Sequence, residues 1–205
     1  MLTEPEYDIT RKSRPIVIVD YQDQWPKEFR EIGARIRETL GDDALRIDHI
    51  GSTSVAGLAA KDIIDIQATV ADLHLSETFI ESMVNAGWVY REGNTSDVFC
   101  GPTMSDASLW EKRFFCEGEG QRRVNIHVRC EGRLNQRYPI LFRDFLRCNE
   151  TVRLSYEQIK RRLARIFPEN IDGYLYIKDP LMDIIFEGAE IWARETSWVP
   201  DSDFL

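Results

Sequence analysis

The chain has 205 residues, with 26 Lys and Arg against 35 Asp and Glu, and a formal net charge of −9. That balance excludes the electrostatic footprint of a duplex nucleic-acid binder, while leaving room for local basic clusters that hold small anions. No apolar run approaches the ~20 residues that span a bilayer, and the acidic start Met1-Leu-Thr-Glu-Pro-Glu-Tyr-Asp8 lacks a signal-peptide core. Four cysteines (Cys100, Cys116, Cys130, Cys148) without a C-x-x-C pair read as reduced thiols. The expected class is a soluble cytoplasmic protein with no membrane partner.

Residues 1–14 are polar and expected to be a flexible N-terminal segment. Ile16-Val-Ile-Val19 reads as a short strand. Asp23 is placed to cap a helix with Pro26 in its first turn. Apolar residues then recur at Phe29, Ile32, Ile36 and Leu40, and Gly41 ends the run. Ala44–Ile50 reads as a strand leading into Gly51-Ser-Thr-Ser54, residues 53–60 as a short helix, and Ile63–Val70 as a strand. Leu75–Ala86 fits a helix stopped by Gly87. Further strands are expected at Trp88–Arg91 or Asp97–Gly101, at Leu109–Cys116 and at Arg122–Cys130, with Glu117-Gly-Glu-Gly-Gln121 as a hairpin loop.

From residue 135 the character becomes helical. Tyr138, Leu141, Phe142, Phe145 and Leu146 form a stripe, and Tyr156–Phe167 is a basic helix. Asp179-Pro180 opens a last helix with Leu181, Ile184, Ile185, Ala189 and Trp192 on one face. This order predicts an α+β (mixed α/β) fold in one domain over 15–196: a mixed-sheet core over about 15–130, a helical part over about 135–196, and a tail at 197–205.

The chemistry-bearing residues gather around the first strand pair. Gly51 permits backbone angles closed to bulkier residues, and Ser52, Thr53 and Ser54 offer hydroxyls and backbone N–H groups. A helix starting there would add its unpaired N–H groups and positive end, which favour a phosphate; a purely structural turn is the competing reading. Lys61 follows within reach. Alternation along the next strand puts Ile64, Ile66, Ala68 and Val70 on one face and Ile63, Asp65, Gln67 and Thr69 on the other. Two carboxylates at i and i+2 would hold Mg²⁺ together, but Gln67 stands in the second place and removes one negative charge. On Arg122-Arg-Val-Asn-Ile-His-Val-Arg129, the polar face carries Arg123, Asn125, His127 and Arg129, which suits an anion or a cleft wall. His49 precedes the turn as a further candidate. Arg143, Arg147, Lys160, Arg161, Arg162 and Lys178 are expected mostly on solvated helix faces.

Taken together, these residues resemble the GrpB family (UPF0157). The resemblance spans about residues 15–195 and rests on Tyr21-Gln-Asp-Gln-Trp-Pro26, His49-Ile-Gly-Ser-Thr-Ser-Val-Ala-Gly57 and Lys61-Asp-Ile-Ile-Asp-Ile66. Asn125-Ile-His-Val128, Leu141-Phe-Arg-Asp-Phe-Leu146 and Tyr156-Glu-Gln-Ile-Lys160 complete it. The family looks like a branch of the nucleotidyltransferase superfamily, a small mixed sheet flanked by helices. That resemblance implies a Gly51-Ser52 turn on a triphosphate, Asp65 as the first acid for a divalent metal, and His127 where active relatives often place a third acid. Arg143 and Lys160 lie in matching motifs and join the ligand candidates. Ala56 and Asp62 stand where the family usually has proline. Fusions of the family's domain to dephospho-coenzyme A kinase or to an acetyltransferase hint at small nucleotides or metabolites.

Two readings follow. In the first, the protein is an enzyme of the transferase class that moves a nucleotidyl group. Asp65 and His127 are then catalytic and metal-holding, and His49, Gly51, Ser52, Thr53, Ser54, Lys61, Gln67, Asn125, Arg129, Arg143 and Lys160 bind phosphate and ligand. One acid with Gln and His makes a poor Mg²⁺ site and would better suit a softer ion such as Mn²⁺ or Zn²⁺; the expected cofactor is a divalent metal, Mg²⁺ or Mn²⁺ ahead of Zn²⁺. In the second, the same cleft is a non-catalytic ligand-binding or partner-stabilising domain that keeps the fold without the full carboxylate set. Both readings expect Ser52, Lys61, Asp65 and His127 to line one cleft around a nucleotide or phosphorylated metabolite.

Overall fold

A five-stranded mixed sheet organises the computed structural model, which describes residues 7–73, 77–98 and 106–201. The strands are β1 (Ala44–Ile50), β2 (Ile64–Val70), β3 (Val89–Tyr90), β4 (Arg113–Cys116) and β5 (Val124–Cys130), in the spatial order β1-β2-β5-β4-β3. β2 and β5 run parallel, and every other neighbouring pair is antiparallel. The parallel pairing sets Asp65 opposite Asn125, Gln67 opposite His127 and Thr69 opposite Arg129. Alternation then carries all six to the same face.

The other face is apolar because both central strands place Ile64, Ile66, Ala68, Val124, Ile126 and Val128 there. Helices α1 (Trp25–Leu40) and α2 (Glu77–Asn85) cover it, α1 through Trp25, Phe29, Ile32, Ile36 and Leu40. Each such buried side chain contributes about 1.5–3 kcal/mol by leaving water. The polar face is covered by the C-terminal helices α3 (Leu134–Cys148), α4 (Glu150–Ile166) and α5 (Ile171–Thr196). These three build a second apolar cluster around Leu141, Phe142, Phe145, Tyr156, Phe186 and Ala189, which also receives Val55 and Leu58 from the loop after β1. The expected α+β architecture with a helical C-terminal part is the observed one.

Several local expectations are corrected. Ile16–Val19 is not a strand: Val19 makes one isolated bridge to Ala60, while the Ile16 N–H donates to the Pro168 carbonyl and its side chain packs with Leu163 and Tyr174. Asp23 caps nothing; α1 begins after Gln24, which makes no side-chain cap, although Pro26 does sit in the first turn. Residues 53–60 are not a helix, since only Ser52–Ser54 make a 3₁₀ turn and Gly57, at φ 75°, is in a left-handed conformation that breaks any continuation. Of Leu109–Cys116 only Arg113–Cys116 is a strand; Leu109 and Trp110 belong to a 3₁₀ turn, Ala107–Trp110, started where the Asp106 side chain accepts from the Ser108 N–H. Asp97 and Val98 are not in a strand, and residues 99–101, like Leu75, fall outside the described residues.

The helical part is longer than its periodicity implied. α4 begins at Glu150 rather than Tyr156, straight after Asn149 closes α3. α5 begins at Ile171, because the Asn170 side chain accepts from the Gly173 N–H; Pro180 lies inside it instead of opening it. Ile184 is 70% exposed and off the buried stripe, which runs through Leu181, Ile185, Ala189 and Trp192. Cys116 and Cys130 are buried and Cys148 is exposed, all three as free thiols. No described helix is long and apolar enough to cross a membrane.

Candidate functional site

The polar face of the sheet and the three C-terminal helices enclose a cavity of about 500 Å³. The turn after β1 forms one edge. Gly51 stands at φ 70°, and a Cβ built there would lie 2.4 Å from the Asp65 carboxylate oxygen Oδ2. The backbone of the turn therefore rests directly on the acid of β2, and only glycine allows that approach. The 3₁₀ turn at Ser52–Ser54 is too short to supply the dipole expected of a helix at this point, so the positive charge of the site comes from side chains.

Those side chains are lysines. Lys61 reaches the cavity from the loop before β2, with its ammonium 5.4 Å from the Tyr174 ring centroid. Lys160 of α4 is 2% exposed. It donates to Ser52 Oγ at 3.0 Å and to the Ala59 carbonyl, and lies 4.8 Å from the Tyr156 ring centroid. Lys178 of α5 enters from the far side, 3.6 Å from Asp179. Burial, reinforced by repulsion from Lys178, lowers Lys61 to about 8 and Lys160 to about 7, against partial compensation by Asp65 and Glu157 respectively. Burial also opposes the charge of Lys178, but Tyr156, Asp179 and Asp65 outweigh it and raise its pKa. Asp65 accepts from the Asn125 amide at 2.7 Å. Its burial raises its pKa against the pull of that hydrogen bond and of Lys61 and Lys178.

Deeper in the cleft, β5 supplies His127 and Arg129. Arg129 Nε and Nη2 donate to the two Asp97 oxygens at 2.8 and 2.9 Å, Nη1 donates to Gln67 Oε1 at 2.7 Å, and Nη2 lies 3.1 Å from His127 Nδ1. Asp97 also accepts from Lys112 at 2.7 Å and from Asn135 at 3.1 Å. Burial works against the Asp97 charge, but Arg129 and Lys112 hold its carboxyl far below the usual range. For His127, burial and the same two cations push the imidazole well below its ordinary value, so it is neutral at pH 7.

The cavity thus brings together Gly51, Ser52, Thr53, Lys61, Asp65, Asn125, His127, Arg129 and Lys160 of the expected residues. Four others lie elsewhere, each for a physical reason. His49 follows Ile47 onto the α1 side of β1, where its ring stacks on Phe29 at 4.8 Å; its Nε2 meets Thr53 Oγ1 at 3.0 Å and props the turn from behind. Burial holds its pKa near about 3, so it carries no charge for an anion. The Ser54 hydroxyl donates back to the Gly51 carbonyl and closes the turn. Gln67 is fully buried, its amide shared between Arg129 and the Gln136 carbonyl. Arg143 is buried against Asp144 and Asp48 and donates to the His49 carbonyl, which ties α3 to β1.

The expected metal ligands do not make a metal site. Among the described residues no group of three or more His, Cys, Asp or Glu is placed to hold an ion. Gln67 is spent, His127 Nδ1 faces a cation, and Asp65 stands among lysines that would repel a divalent ion. Sequence reasoning missed Lys178, Asp97 and Lys112. Lys178 reads from the sequence as one of several basic residues on solvated helix faces, and Asp97 only as the first residue of an alternative strand, Asp97–Gly101, with no sign of its cation partners.

Comparison with known proteins shows the family and the fold. A family model described as GrpB protein matches residues 15–187. A dephospho-CoA kinase of Mycolicibacterium paratuberculosis is 33% identical over 198 residues, covering 91% of this chain but 49% of that protein. The chain therefore spans about half the length of the dephospho-CoA kinases that it matches. A UPF0157 protein of Halalkalibacterium halodurans is 32% identical over 174 residues, 85% of this chain and 82% of that one. Among solved structures, GrpB from Enterococcus faecalis superposes with a TM-score of 0.71 at 27% identity, covering 86% of this chain and 99% of that one.

Proposed function

The chain belongs to the GrpB family, and from that premise we propose that its cleft binds a phosphorylated small molecule of the nucleotide class directly through protein cations. The observation that carries this reading is the convergence of Lys61, Lys160 and Lys178 on one enclosed cavity, beside a glycine turn whose backbone lies against Asp65. Lys160 spends two of its three donor directions on Ser52 and Ala59, which leaves one for a ligand oxygen. Tyr156, Tyr174 and Phe142 line the same space and offer apolar area to a ring-bearing ligand.

Transfer of a nucleotidyl group is the second reading. What favours it is Asp65, a carboxylate set against the turn where a phosphate would lie. The kinase named for the mycobacterial relatives is a property of proteins of which this chain spans half, and it forms no part of either reading.

Titration calorimetry with ATP, ADP and pyrophosphate, in EDTA and in Mg²⁺, separates the two. Direct binding predicts affinity that persists in EDTA and falls about tenfold in Lys178→Met, the loss of one charge-assisted contact. Asp65→Asn should then raise the EDTA affinity, because it removes a negative charge from a lysine cluster. Affinity that requires Mg²⁺ and collapses in Asp65→Asn favours transfer instead. No binding of any of the three under either condition overturns the proposal.

A further inference from the structure

Arginine carries only donors. The 3.1 Å approach of Arg129 Nη2 to His127 Nδ1 therefore makes Nδ1 the acceptor. The guanidinium has no freedom to turn away. Asp97 takes two of its N–H groups, Gln67 takes another, and Arg129 as a whole is 5% exposed. Asp97 is fixed in turn by Lys112 and Asn135. A neutral imidazole whose Nδ1 accepts must carry its one proton on Nε2. Among the described residues Nε2 has no hydrogen-bond partner, and the half-buried ring lines the cavity. Phe114, edge-on at 4.9 Å, supports the ring from the neighbouring strand β4.

We propose that His127 is a ligand-specificity residue, locked in the Nε2–H tautomer by the Asp97–Arg129 pair, that donates a hydrogen bond to an oxyanion of the bound phosphorylated ligand. Asp97 and Arg129 are then positioning residues. This assignment rests on the reading of the cleft as a phosphate-ligand site. It replaces the base or metal-ligand role for His127, both of which need a free lone pair on Nε2. It also explains the position chemically: a third carboxylate here would repel a phosphate that the protein holds without a bridging ion, whereas a fixed N–H attracts it.

The test is a long-range ¹H–¹⁵N correlation spectrum of the full chain with labelled histidines at pH 7.5, with His127 assigned through His127→Gln. The expected result is a bare Nδ1 and a protonated Nε2. Arg129→Lys should convert His127 to a mixture of tautomers; should that variant fail to fold, the wild-type spectrum decides alone. An Nδ1–H tautomer, or fast exchange between the two in wild type, overturns the proposal. Pyrophosphate should then shift the Nε2–H resonance, and His127→Phe should weaken pyrophosphate binding about tenfold. Pyrophosphate binding that leaves both that resonance and the His127→Phe affinity unchanged refutes the donor role while sparing the cleft. If pyrophosphate does not bind but ATP or ADP does, the same two readouts with that nucleotide decide the donor role; binding of none of the three refutes the cleft reading and the donor role together.

Discussion

Gly51→Ala should be among the most costly conservative substitutions in the molecule. Two costs add. The backbone stands at φ 70° and ψ −174°, a conformation open essentially to glycine alone, which costs a Cβ-bearing residue about 1–3 kcal/mol. The new methyl would also lie 2.4 Å from Asp65 Oδ2 and 2.9 Å from Asp65 Cβ and Cγ, and Cβ and Cγ sit at the root of a side chain on a central strand. Relieving such an overlap costs about 1–3 kcal/mol. The sum is roughly 2–6 kcal/mol, or a fall in Tm of about 5–20 °C for a chain this size. Gly57→Ala is the internal control: φ is 75° there, but nothing lies within 4 Å of the added carbon, so only the backbone cost applies, about 1–2 kcal/mol. Urea unfolding of both variants, analysed at a common slope, measures the difference. Asp65→Ala in the Gly51→Ala background removes the nearest clashing atom and should return part of the loss. If Gly51→Ala costs no more than Gly57→Ala, the turn does not rest on Asp65 and the pairing on which the site is built is wrong.

Two further outcomes follow from the charges. Because Lys160 and Lys61 lose their protons near about 7 and about 8, affinity for sulfate, whose own charge is constant, should fall steadily from pH 6.5 to 9 by calorimetry. The same depressed values predict the opposite slope for ligand-free stability: above pH 7 the unfolded chain binds more protons at these lysines than the folded one, so their contribution to stability rises with pH. A flat sulfate profile would mean that neither lysine faces the anion. Asp97→Asn keeps the shape but leaves Arg129 and Lys112 as buried cations without a carboxylate, and should cost about 3–5 kcal/mol by urea unfolding. Since the Asp97 pKa is depressed, the stability it confers is present above the unfolded value near 4 and lost as pH falls below it. A loss under about 1 kcal/mol in Asp97→Asn at pH 7 would show that the cluster does not hold the cleft floor.

The sheet was legible because each central strand announces its two faces by a period of two, and because Ala44–Ile50 and Val124–Cys130 end at polar turns. The same alternation puts Asp65 on the polar face of one strand and Asn125, His127 and Arg129 on the polar face of another; the parallel register of β2 and β5 makes the two faces one. His49 was a candidate because it precedes the turn along the chain; alternation from Ile47 instead carries it to the α1 side, where it stacks on Phe29. Gln67 and Arg143 looked like ligands because polar type is visible in a sequence and hydrogen-bond partners are not; both side chains are occupied by other parts of the chain. Lys178 was hidden by the opposite error. Its helix was expected to begin at the Asp179-Pro180 pair, a local signal, whereas the Asn170 cap upstream starts it and rotates Lys178 into the cavity.

The charge distribution links fold to selectivity. A net charge of −9 keeps polyanions at a distance, yet the cleft concentrates Lys61, Lys160 and Lys178 where water is scarce. Charges beyond about 8–10 Å are screened by salt, so the acidic exterior weighs little on a small ligand once it is inside. Within the cleft, Lys112 and Arg129 share the Asp97 carboxylate, a trio of net charge +1, and both depress the His127 pKa. On the proposed reading, what faces the ligand is the three lysines and an imidazole N–H, opposed by Asp65. Asp65 limits how tightly an anion is held, and this is why its neutralisation is expected to strengthen binding rather than abolish it. On the proposed reading the ligand is a single phosphate chain, and the Tyr156, Tyr174 and Phe142 rings that line the cavity would bound the size of what it carries.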